Sequence, residues 1–336
     1  MIAPTQPLAV SLGDPAGIGP ELIAEIWNQR GSLDLPPFAV VGGAGVLRAA
    51  AKTRGIDLPV AVIDRADDAI AAFPDALPVI GGEDAPFAPG QPDEAGARLA
   101  LGSLEKATTL ARDGAAGGIV TLPVAKSRLA SIGFAHPGQT EYLAAACDRP
   151  AGDAVMMLAG PSLRAVPVTV HCPLAQVAQL LNEDMICAKA RTVHRALSLD
   201  FGIDQPRLAL AGLNPHAGED GRMGHEEAEI IAPAIARLRA EGIEASGPHP
   251  ADALFTHRAR ETYDVALAMY HDQALIPLKA LDFDEGVNVT LGLPLVRTSP
   301  DHGTAFAIAG EGIADPGATI AALRMAGEMA ARRAGG

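Results

Sequence analysis

The sequence predicts an α/β protein with a largely parallel β-sheet. Short apolar runs alternate with longer helical patterns from one end of the chain to the other, as in strand–helix–strand units. Aromatic residues are scarce (8 Phe, 3 Tyr, 1 Trp) and small aliphatic residues dominate, which suits helices packed on a sheet. The length of 336 residues exceeds that of a typical single domain and favours two domains.

Each predicted element follows from a local pattern. Apolar runs bounded by turn residues predict strands, and amphipathic stretches of ten or more residues predict helices. Residues 225–242 carry acidic side chains early and basic ones late, which matches a helix dipole. The predicted strands are 7–13, 38–43, 117–123, 164–174, 206–218 and 265–273; the predicted helices are 20–30, 44–55, 95–114, one or two within 175–202, and 225–242.

Three histidines occupy equivalent places in this pattern. His171, His216 and His271 stand at or just past the C-terminal ends of predicted strands, where α/β sheets bind ligands. A single histidine after a strand is more often a hydrogen-bonded loop residue, and no HExxH motif is present, so the prediction depends on all three. Imidazoles converging from separate segments are the usual way to build an open divalent-metal site. An enzyme is therefore predicted.

Two further segments carry candidate anion-binding groups. Lys279, Asn288 and Arg297 lie in the Gly/Pro-interrupted stretch 277–310, which we expect to be irregular. They could hold a phosphate or carboxylate, or they could be solvated loop residues. Gln139 and Thr140 precede a predicted helix and could meet an anion at its positive end, although Thr140 could equally be only the start of that helix.

The glycine-rich turn at 11–23, SLGDPAGIGPELI, resembles a nucleotide-binding turn only superficially. Its spacing does not fit GxGxxG, and no Walker lysine follows it. We therefore predict no Rossmann or P-loop site at this turn.

Composition excludes several classes of partner. A formal net charge of −14 argues against a nucleic-acid surface or an anionic membrane, and no apolar run is long enough to cross a bilayer. The opening segment, 1–14, lacks the pattern of a signal peptide. Three cysteines without metal-site spacing favour reduced thiols and a cytoplasmic location.

Taken together, these blocks closely resemble the 4-hydroxythreonine-4-phosphate dehydrogenase family of vitamin B6 biosynthesis. The resemblance covers nearly the whole chain, and the combination of NPHAGE, YHDQ and TLGLPLVRTSPDHGTA is highly specific. The blocks that carry it lie at 11–21, 121–126, 137–144, 168–174, 213–227, 247–255, 263–279 and 287–310.

The resemblance implies a fold similar to that of isocitrate and isopropylmalate dehydrogenases, with two α/β domains flanking an active-site cleft. It implies a discontinuous first domain, 1–128 plus 300–336, and a second domain, 129–299, with the metal ligands and a dimer interface. Residues 302–316 resemble the adenosine-binding loop of those dehydrogenases. The cofactor-binding residues implied there are His302, Gly303, Thr304 and Ala305.

The resemblance also implies the reaction. The C3 hydroxyl of 4-phosphooxy-L-threonine would be oxidised by NAD(P)+ to a β-keto acid that loses CO2, giving 3-amino-2-oxopropyl phosphate. One divalent ion per site (zinc, magnesium or cobalt) would be bound by His171, His216 and His271, with ligands drawn across the interface of a homodimer. It would act on the hydroxyl as a Lewis acid.

Substrate contacts are implied for five residues and supporting roles for two more. The family usually has histidine where this chain has Gln139, and glutamine can donate a neutral hydrogen bond but cannot become a cation. Asp272 and Asp252 are candidates for orienting a ligand histidine or for proton transfer. The implied substrate residues are Gln139, Thr140, Lys279, Asn288 and Arg297.

Two alternatives stay open at this point. Relatives of this fold act on phosphothreonate-type acids or on cyclic dihydrodiols and share many of the motifs. A non-catalytic protein that captures an anionic metabolite would need the cations but no metal.

Overall fold

A computed structural model describes residues 6–335 and confirms the α/β prediction. The strands are β1 (Leu8–Ser11), β2 (Phe38–Val41), β3 (Val60–Ile63), β4 (Leu77–Ile80), β5 (Ile119–Thr121), β6 (Val155–Ala159), β7 (Arg164–Pro167), β8 (Leu208–Ala211), β9 (Ala245–His249), β10 (Val265–Ala268), β11 (Val287–Leu291) and β12 (Arg297–Pro300). Six of the twelve strands described coincide with the predicted apolar runs and are shorter than those runs, namely β1, β2, β5, β7, β8 and β10, whereas the other six were not predicted.

The helices lie between the strands, as the alternation predicts. The segment 175–202 contains two helices, and the helix predicted at 225–242 opens with a wide turn at Glu227–Ile231. The α-helices are α1 (Gly19–Asn28), α2 (Arg30–Leu33), α3 (Ala44–Thr53), α4 (Asp68–Ala72), α5 (Glu94–Arg112), α6 (Lys126–Ser131), α7 (Gln139–Ala146), α8 (Val177–Leu180), α9 (Glu183–Phe201), α10 (Ala232–Ala240), α11 (Ala251–Leu254), α12 (His257–Arg260), α13 (His271–Leu281) and α14 (Gly317–Gly335).

The chain divides into two compact units. Unit 1 comprises Met1–Ala151 and Leu293–Gly336, and unit 2 is Gly152–Gly292. Residues 129–151 and 293–299, which the sequence analysis assigned to the second domain, thus group with unit 1. The C-terminal segment completes unit 1 through β12, which pairs in parallel with β5. The independence of the two units as folding domains stays a prediction.

The sheet of unit 1 is entirely parallel, in the order β3-β4-β2-β1-β5-β12. Its central strands are apolar and fully buried, because α-helices cover such a sheet on both faces. The pairing of β12 with β5 aligns Arg297 with Ile119, two residues before Thr121. Arg297 and Thr121 are thereby carried on adjacent strands.

The sheet of unit 2 has the order β11-β6-β7-β10-β8-β9. Strands β7, β10, β8 and β9 run parallel, whereas β6 is antiparallel to both of its neighbours. Parallel strands end at the same edge of a sheet. The segments that follow β7, β10 and β8, each with one of the three histidines, therefore leave from one edge.

One prediction was wrong. The stretch 277–310 is largely regular: Lys279 lies in α13, Asn288 in β11 and Arg297 in β12. Of the glycines and prolines that suggested irregularity, Gly292 and Pro294 lie in the short turn between β11 and β12, whereas Pro277 lies within α13 and Pro300 ends β12. Helix α13 tolerates Pro277 because Ala274 and Leu278 pack in the core of unit 2. His271, predicted at the end of the strand 265–273, instead begins this helix, since β10 ends at Ala268.

Among residues 6–335, no helix combines the length and apolar character needed to cross a bilayer. The prediction on the opening segment falls partly on residues 1–5, which lie outside the described range. All three cysteines, Cys147, Cys172 and Cys187, are free thiols.

The turn after β11 generates a stability prediction. Gly292 has φ +85°, and a Cβ added there would lie 2.1 Å from the carbonyl oxygen of Asp153. Gly292→Ala should lower the free energy of unfolding by about 2–4 kcal/mol, because it adds a steric clash to an unfavourable φ. Urea denaturation measures the change.

Gly152→Ala is the matched control, since a Cβ at Gly152 would meet nothing within 4 Å. Its effect should stay within about 1 kcal/mol. Equal stability of the two variants would contradict this account of the turn.

Candidate active site

The ends of β7 and β10 bring two of the predicted histidines together. The N–H of Val168 donates to the Ala268 carbonyl at 2.7 Å. The N–H and hydroxyl of Thr169 both donate to the Met269 carbonyl, at 3.2 and 2.8 Å. These bonds extend the pairing of the two strands beyond their last residues. The imidazole rings of His171 and His271 consequently lie 5.9 Å apart between centroids.

The two histidines line a cavity of about 340 Å³. His271 Nδ1 lies 2.7 Å from Asp272 Oδ1, and in the neutral tautomer that carries its proton on Nδ1 this N–H donates to the carboxylate and Nε2 keeps a lone pair. This is the common way in which a carboxylate fixes the tautomer of a metal-binding histidine. The structure thus places Asp272 against a predicted ligand. The residues that line the cavity are Thr169, Val170, His171, Cys172, Pro173, Leu174, Val177, Tyr270, His271 and Asp272.

A buried glutamine joins the ends of β10 and β8. Gln273 Oε1 accepts the N–H of Met269 at 2.6 Å, and Gln273 Nε2 donates to the Gly212 carbonyl at 2.8 Å. Both groups are buried, so the side chain satisfies polar backbone atoms that water cannot reach. Gln273 therefore couples the start of α13, with His271, to the start of the segment that carries His216.

The segment with His216 follows an unusual backbone path. Residues 216–221 all have positive φ, among them His216 at 52° and Glu219 at 42°. A left-handed conformation costs about 1–2 kcal/mol for each non-glycine residue, so the surrounding structure must hold the turn in place. We call this segment, 215–221, the left-handed turn.

The left-handed turn is held by a buried carboxylate. Glu227 is 5% exposed, and its Oε1 accepts the N–H of Asn214 at 2.7 Å. The Asn214 side-chain amide donates to both Glu226, at 2.7 Å, and Glu227, at 3.1 Å. Gly218 lies so close to Glu227 that a Cβ there would be 2.6 Å from Oε2. These contacts offset the strain of the turn.

One chain does not assemble the three histidines. His216 is exposed and is not among the residues that line the cavity. Within residues 6–335, no group of three His, Cys, Asp or Glu side chains is close enough to hold a metal ion. Asp252 is exposed on α11, which packs beside the left-handed turn.

In unit 1, a buried arginine forms the centre of the predicted anion site. Arg297 is 4% exposed, and burial lowers its pKa to about 10, against the favourable charge of Glu141. Its Nη2 donates to Thr121 Oγ1 at 2.8 Å and to Gln139 Oε1 at 3.2 Å. Burial disfavours the charged guanidinium of Arg297. An anionic ligand in contact with it would stabilise that charge.

Gln139 uses both ends of its amide within unit 1. Its oxygen accepts from Arg297, and its Nε2 donates to the Leu122 carbonyl at 3.2 Å. In this arrangement the Gln139 amide orients Arg297. Thr140, the next residue of α7, is half-buried. Substrate contacts by Gln139 and Thr140 stay predictions.

In unit 2, Lys279 and Asn288 lie on the same side of the sheet. Asn288 pairs with Leu158, so the two side chains share a face, and Leu158 packs with Leu278 of α13. Lys279 is exposed on that helix, its Nζ 6.0 Å from the ring centre of Phe283. Asn288 Oδ1 is buried and has no hydrogen-bond partner among residues 6–335, which leaves an acceptor available to a ligand.

The predicted cofactor segment is an ordered turn in unit 1. His302 Nδ1 lies 3.0 Å from the Gly303 carbonyl, and burial lowers the His302 pKa, which favours the neutral ring. The Thr304 carbonyl accepts the N–H of Ile18 at 3.0 Å, and Ala305 has φ +48°. The glycine-rich turn at 11–23 therefore contacts the segment predicted to bind the dinucleotide.

The residues that hold the site together are not among those predicted from the sequence. Gln273 and Glu227 satisfy backbone groups at strand ends, and Thr121 accepts from Arg297. The one local pattern that could have indicated Gln273 is its position directly before the apolar residues Ala274 and Leu275. Glu227 and Thr121 act on residues far away in the sequence, and no local pattern reports such contacts.

Gln273 provides a test of this architecture. Gln273→Met should lower the free energy of unfolding by about 2–4 kcal/mol, because the Met269 N–H and Gly212 carbonyl would stay buried without partners. Urea denaturation of this variant is compared with that of Gln205→Met, a change at an exposed position that should stay within about 0.5 kcal/mol. A loss no larger than the control's would show that Gln273 does not join the strands.

Comparison with known proteins supports the family resemblance. A family model described as "Pyridoxal phosphate biosynthetic protein PdxA" matches residues 34–326. A 4-hydroxythreonine-4-phosphate dehydrogenase from Erythrobacter litoralis (strain HTCC2594) is 64% identical over 331 residues, which cover 98% of this chain and 98% of that protein.

Solved structures agree with this result. The crystal structure of 4-hydroxythreonine-4-phosphate dehydrogenase from Klebsiella pneumoniae matches with a TM-score of 0.84 and 38% identity, covering 97% of this chain and 100% of that one. A terephthalate 1,2-cis-dihydrodiol dehydrogenase from Burkholderia xenovorans LB400 matches less well, with a TM-score of 0.66 and 30% identity over 96% of this chain and 98% of that one. The chain belongs to the PdxA family of pyridoxal phosphate biosynthetic proteins.

Proposed function

We propose that this protein oxidises the C3 hydroxyl of 4-phosphooxy-L-threonine with NAD(P)+. The hydride passes from C3 to the nicotinamide and the hydroxyl proton is released. The resulting β-keto acid loses CO2 and gives 3-amino-2-oxopropyl phosphate. The proposal is supported by 64% identity to a named 4-hydroxythreonine-4-phosphate dehydrogenase. The observation that carries it is the pair His171 and His271 in one cavity, with Asp272 on Nδ1 of His271.

The donors in this cavity fit a divalent metal. His271 Nε2 is available, His171 lies beside it, and neutral imidazoles suit zinc or cobalt better than magnesium. We propose that His171, His216 and His271 hold the ion. His216, exposed and outside the cavity, fits a ligand set divided between two subunits. When bound, the ion would lower the pKa of the substrate hydroxyl.

Exposed apolar side chains support a homodimer formed through unit 2. Most large hydrophobic residues that are exposed among residues 6–335 belong to this unit, and Leu174 also lines the histidine cavity. A contiguous apolar surface patch usually marks an interaction site. The exposed residues of unit 2 are Leu174, Leu180, Leu199, Met223, Ile276, Leu281 and Phe283, whereas those of unit 1 are Val62, Ile70 and Ile313.

The remaining residues would bind and orient the reactants. Arg297, Lys279 and Asn288, with Gln139 and Thr140, would hold the anionic and polar groups of the substrate and so direct C3 toward the nicotinamide. Asp272 would keep His271 in its ligating tautomer, and Asp252 would take part in proton transfer. We place the dinucleotide on His302, Gly303, Thr304 and Ala305. The free thiols Cys147, Cys172 and Cys187 support the cytoplasm as the compartment.

Substrate identity is tested by following NAD(P)+ reduction with three substrates: 4-phosphooxy-L-threonine, a phosphothreonate and a cyclic dihydrodiol. Turnover of the first in the presence of a divalent metal is the expected result. Selective turnover of either of the others would contradict the proposed substrate.

The metal prediction concerns His271. His271→Ala should reduce kcat/KM by about a thousandfold or more, since a Lewis acid supplies several kcal/mol to such a step. The purified variant should also retain less metal per subunit, as measured by elemental analysis. His257→Ala, a change at an 83% exposed side chain, is the control and should alter neither quantity. Unchanged metal content and activity in His271→Ala would refute the assignment.

The anion prediction concerns Arg297. Arg297→Lys should lower kcat/KM for the phosphorylated substrate by about 10- to 100-fold, because lysine cannot reproduce the planar, charge-assisted contacts of a guanidinium. Arg65→Lys, at a side chain that is 74% exposed, is the control. Steady-state kinetics at saturating NAD(P)+ measure the effect, and wild-type kinetics in Arg297→Lys would exclude a substrate role.

A further inference from the structure

The glycine-rich turn at 11–23 and helix α1 contact the segment 302–316, here called the cofactor loop, at both of its ends. The turn has no nucleotide-binding spacing of its own, and the proposed reaction does not use it. Three separate sets of contacts nevertheless connect the cofactor loop with the turn, with helix α1 and with Arg54. All of these residues belong to unit 1.

The first contact is made by Gly17 and Ile18. The Ile18 N–H donates to the Thr304 carbonyl at 3.0 Å. A Cβ on Gly17 would lie 2.8 Å from the same oxygen and 3.3 Å from Thr304 Cβ. Only glycine lets the loop approach this closely, because 2.8 Å is shorter than real Cβ contacts allow.

The second contact is made by Glu21, one turn further along α1. Its side chain is 1% exposed, and its oxygens make no hydrogen bond of normal length within the described range. Burial raises the pKa of this carboxyl, while Arg54 and the N–H groups of Gly310 and Gly312 act in the opposite direction. The Glu21 carboxyl is therefore close enough to the backbone of Gly310 and Gly312 to interact with their N–H groups.

The third contact is made by Arg54, which follows α3. Its Nη2 donates to the Ala314 carbonyl at 2.7 Å, its Nη1 pairs with Glu25, and its Nε lies 3.8 Å from Glu21 Oε2. Arg54 is 9% exposed, so these contacts are largely shielded from water. One guanidinium thus links α1, the end of α3 and the far end of the cofactor loop.

The cofactor loop needs such support. Ala305, Gly310 and Gly312 all have positive φ, and a loop with this backbone does not hold its shape through regular hydrogen bonding alone. We infer that Gly17, Glu21 and Arg54 are positioning residues that hold the cofactor loop in the shape that binds NAD(P)+. The inference rests on the proposed function, since it requires a dinucleotide on residues 302–305.

The test compares dinucleotide affinity with substrate affinity in the full-length, metal-loaded protein. Gly17→Ala, Glu21→Gln and Arg54→Met should each raise KM for NAD(P)+ by about tenfold or more, with KM for 4-phosphooxy-L-threonine changed by less than about threefold. Arg54→Lys should recover part of the loss. Gly102→Ala, where a Cβ meets nothing within 4 Å, and Arg48→Met, at an exposed position of α3, are the controls.

A direct binding measurement makes the outcome independent of turnover. Trp27, the single tryptophan, lies in α1 and is 2% exposed, so energy transfer from it to bound NAD(P)H can be titrated. The variants should bind NAD(P)H about tenfold more weakly than wild type. If a variant does not fold, the remaining two decide the question.

Three outcomes are distinguishable. Weaker NAD(P)H binding with nearly unchanged substrate KM supports the inference. Wild-type NAD(P)H affinity in folded Glu21→Gln and Arg54→Met overturns it while leaving the proposed function intact. Failure of the wild-type protein to bind either NADH or NADPH would instead contradict the proposed function.

Discussion

Much of the candidate site depends on one set of hydrogen bonds, those that prolong the pairing of β7 with β10. Thr169 donates two hydrogen bonds to the Met269 carbonyl, and Gln273 Oε1 accepts a hydrogen bond from the Met269 N–H. Met269 is therefore fixed from both sides just before the chain turns into α13. His171 and His271 share a cavity because the segments that carry them leave from this point.

The site is supported mainly by buried polar side chains that satisfy backbone groups. Gln273 joins β10 to Gly212, and Glu227 holds Asn214 at the start of the left-handed turn. Each leaves a costly unsatisfied group if removed, so the arrangement resists distortion. Such support restricts the positions of the loop segments that carry His171 and His216, as a metal site built on them would require.

The sequence was sufficient where the information is local. The apolar runs before His171, His216 and His271 predict strands, and the parallel sheet then brings two of these residues together. It was insufficient where distant residues decide the outcome. The Gly/Pro content around Lys279 suggested irregular structure, yet packing of Leu278 in the core stabilises a helix through Pro277. The left-handed turn depends on Glu227, and the role of Gly17 depends on Thr304.

The central claim is that His171, His216 and His271 bind one divalent ion. Anomalous diffraction from crystals of the zinc- or cobalt-loaded protein tests it most directly. The account predicts a single anomalous peak at about 2.0–2.1 Å from a nitrogen of each of the three histidines, with His171 and His271 supplied by one subunit and His216 by the other. A metal peak coordinated by other residues, or none in active crystals, would contradict it.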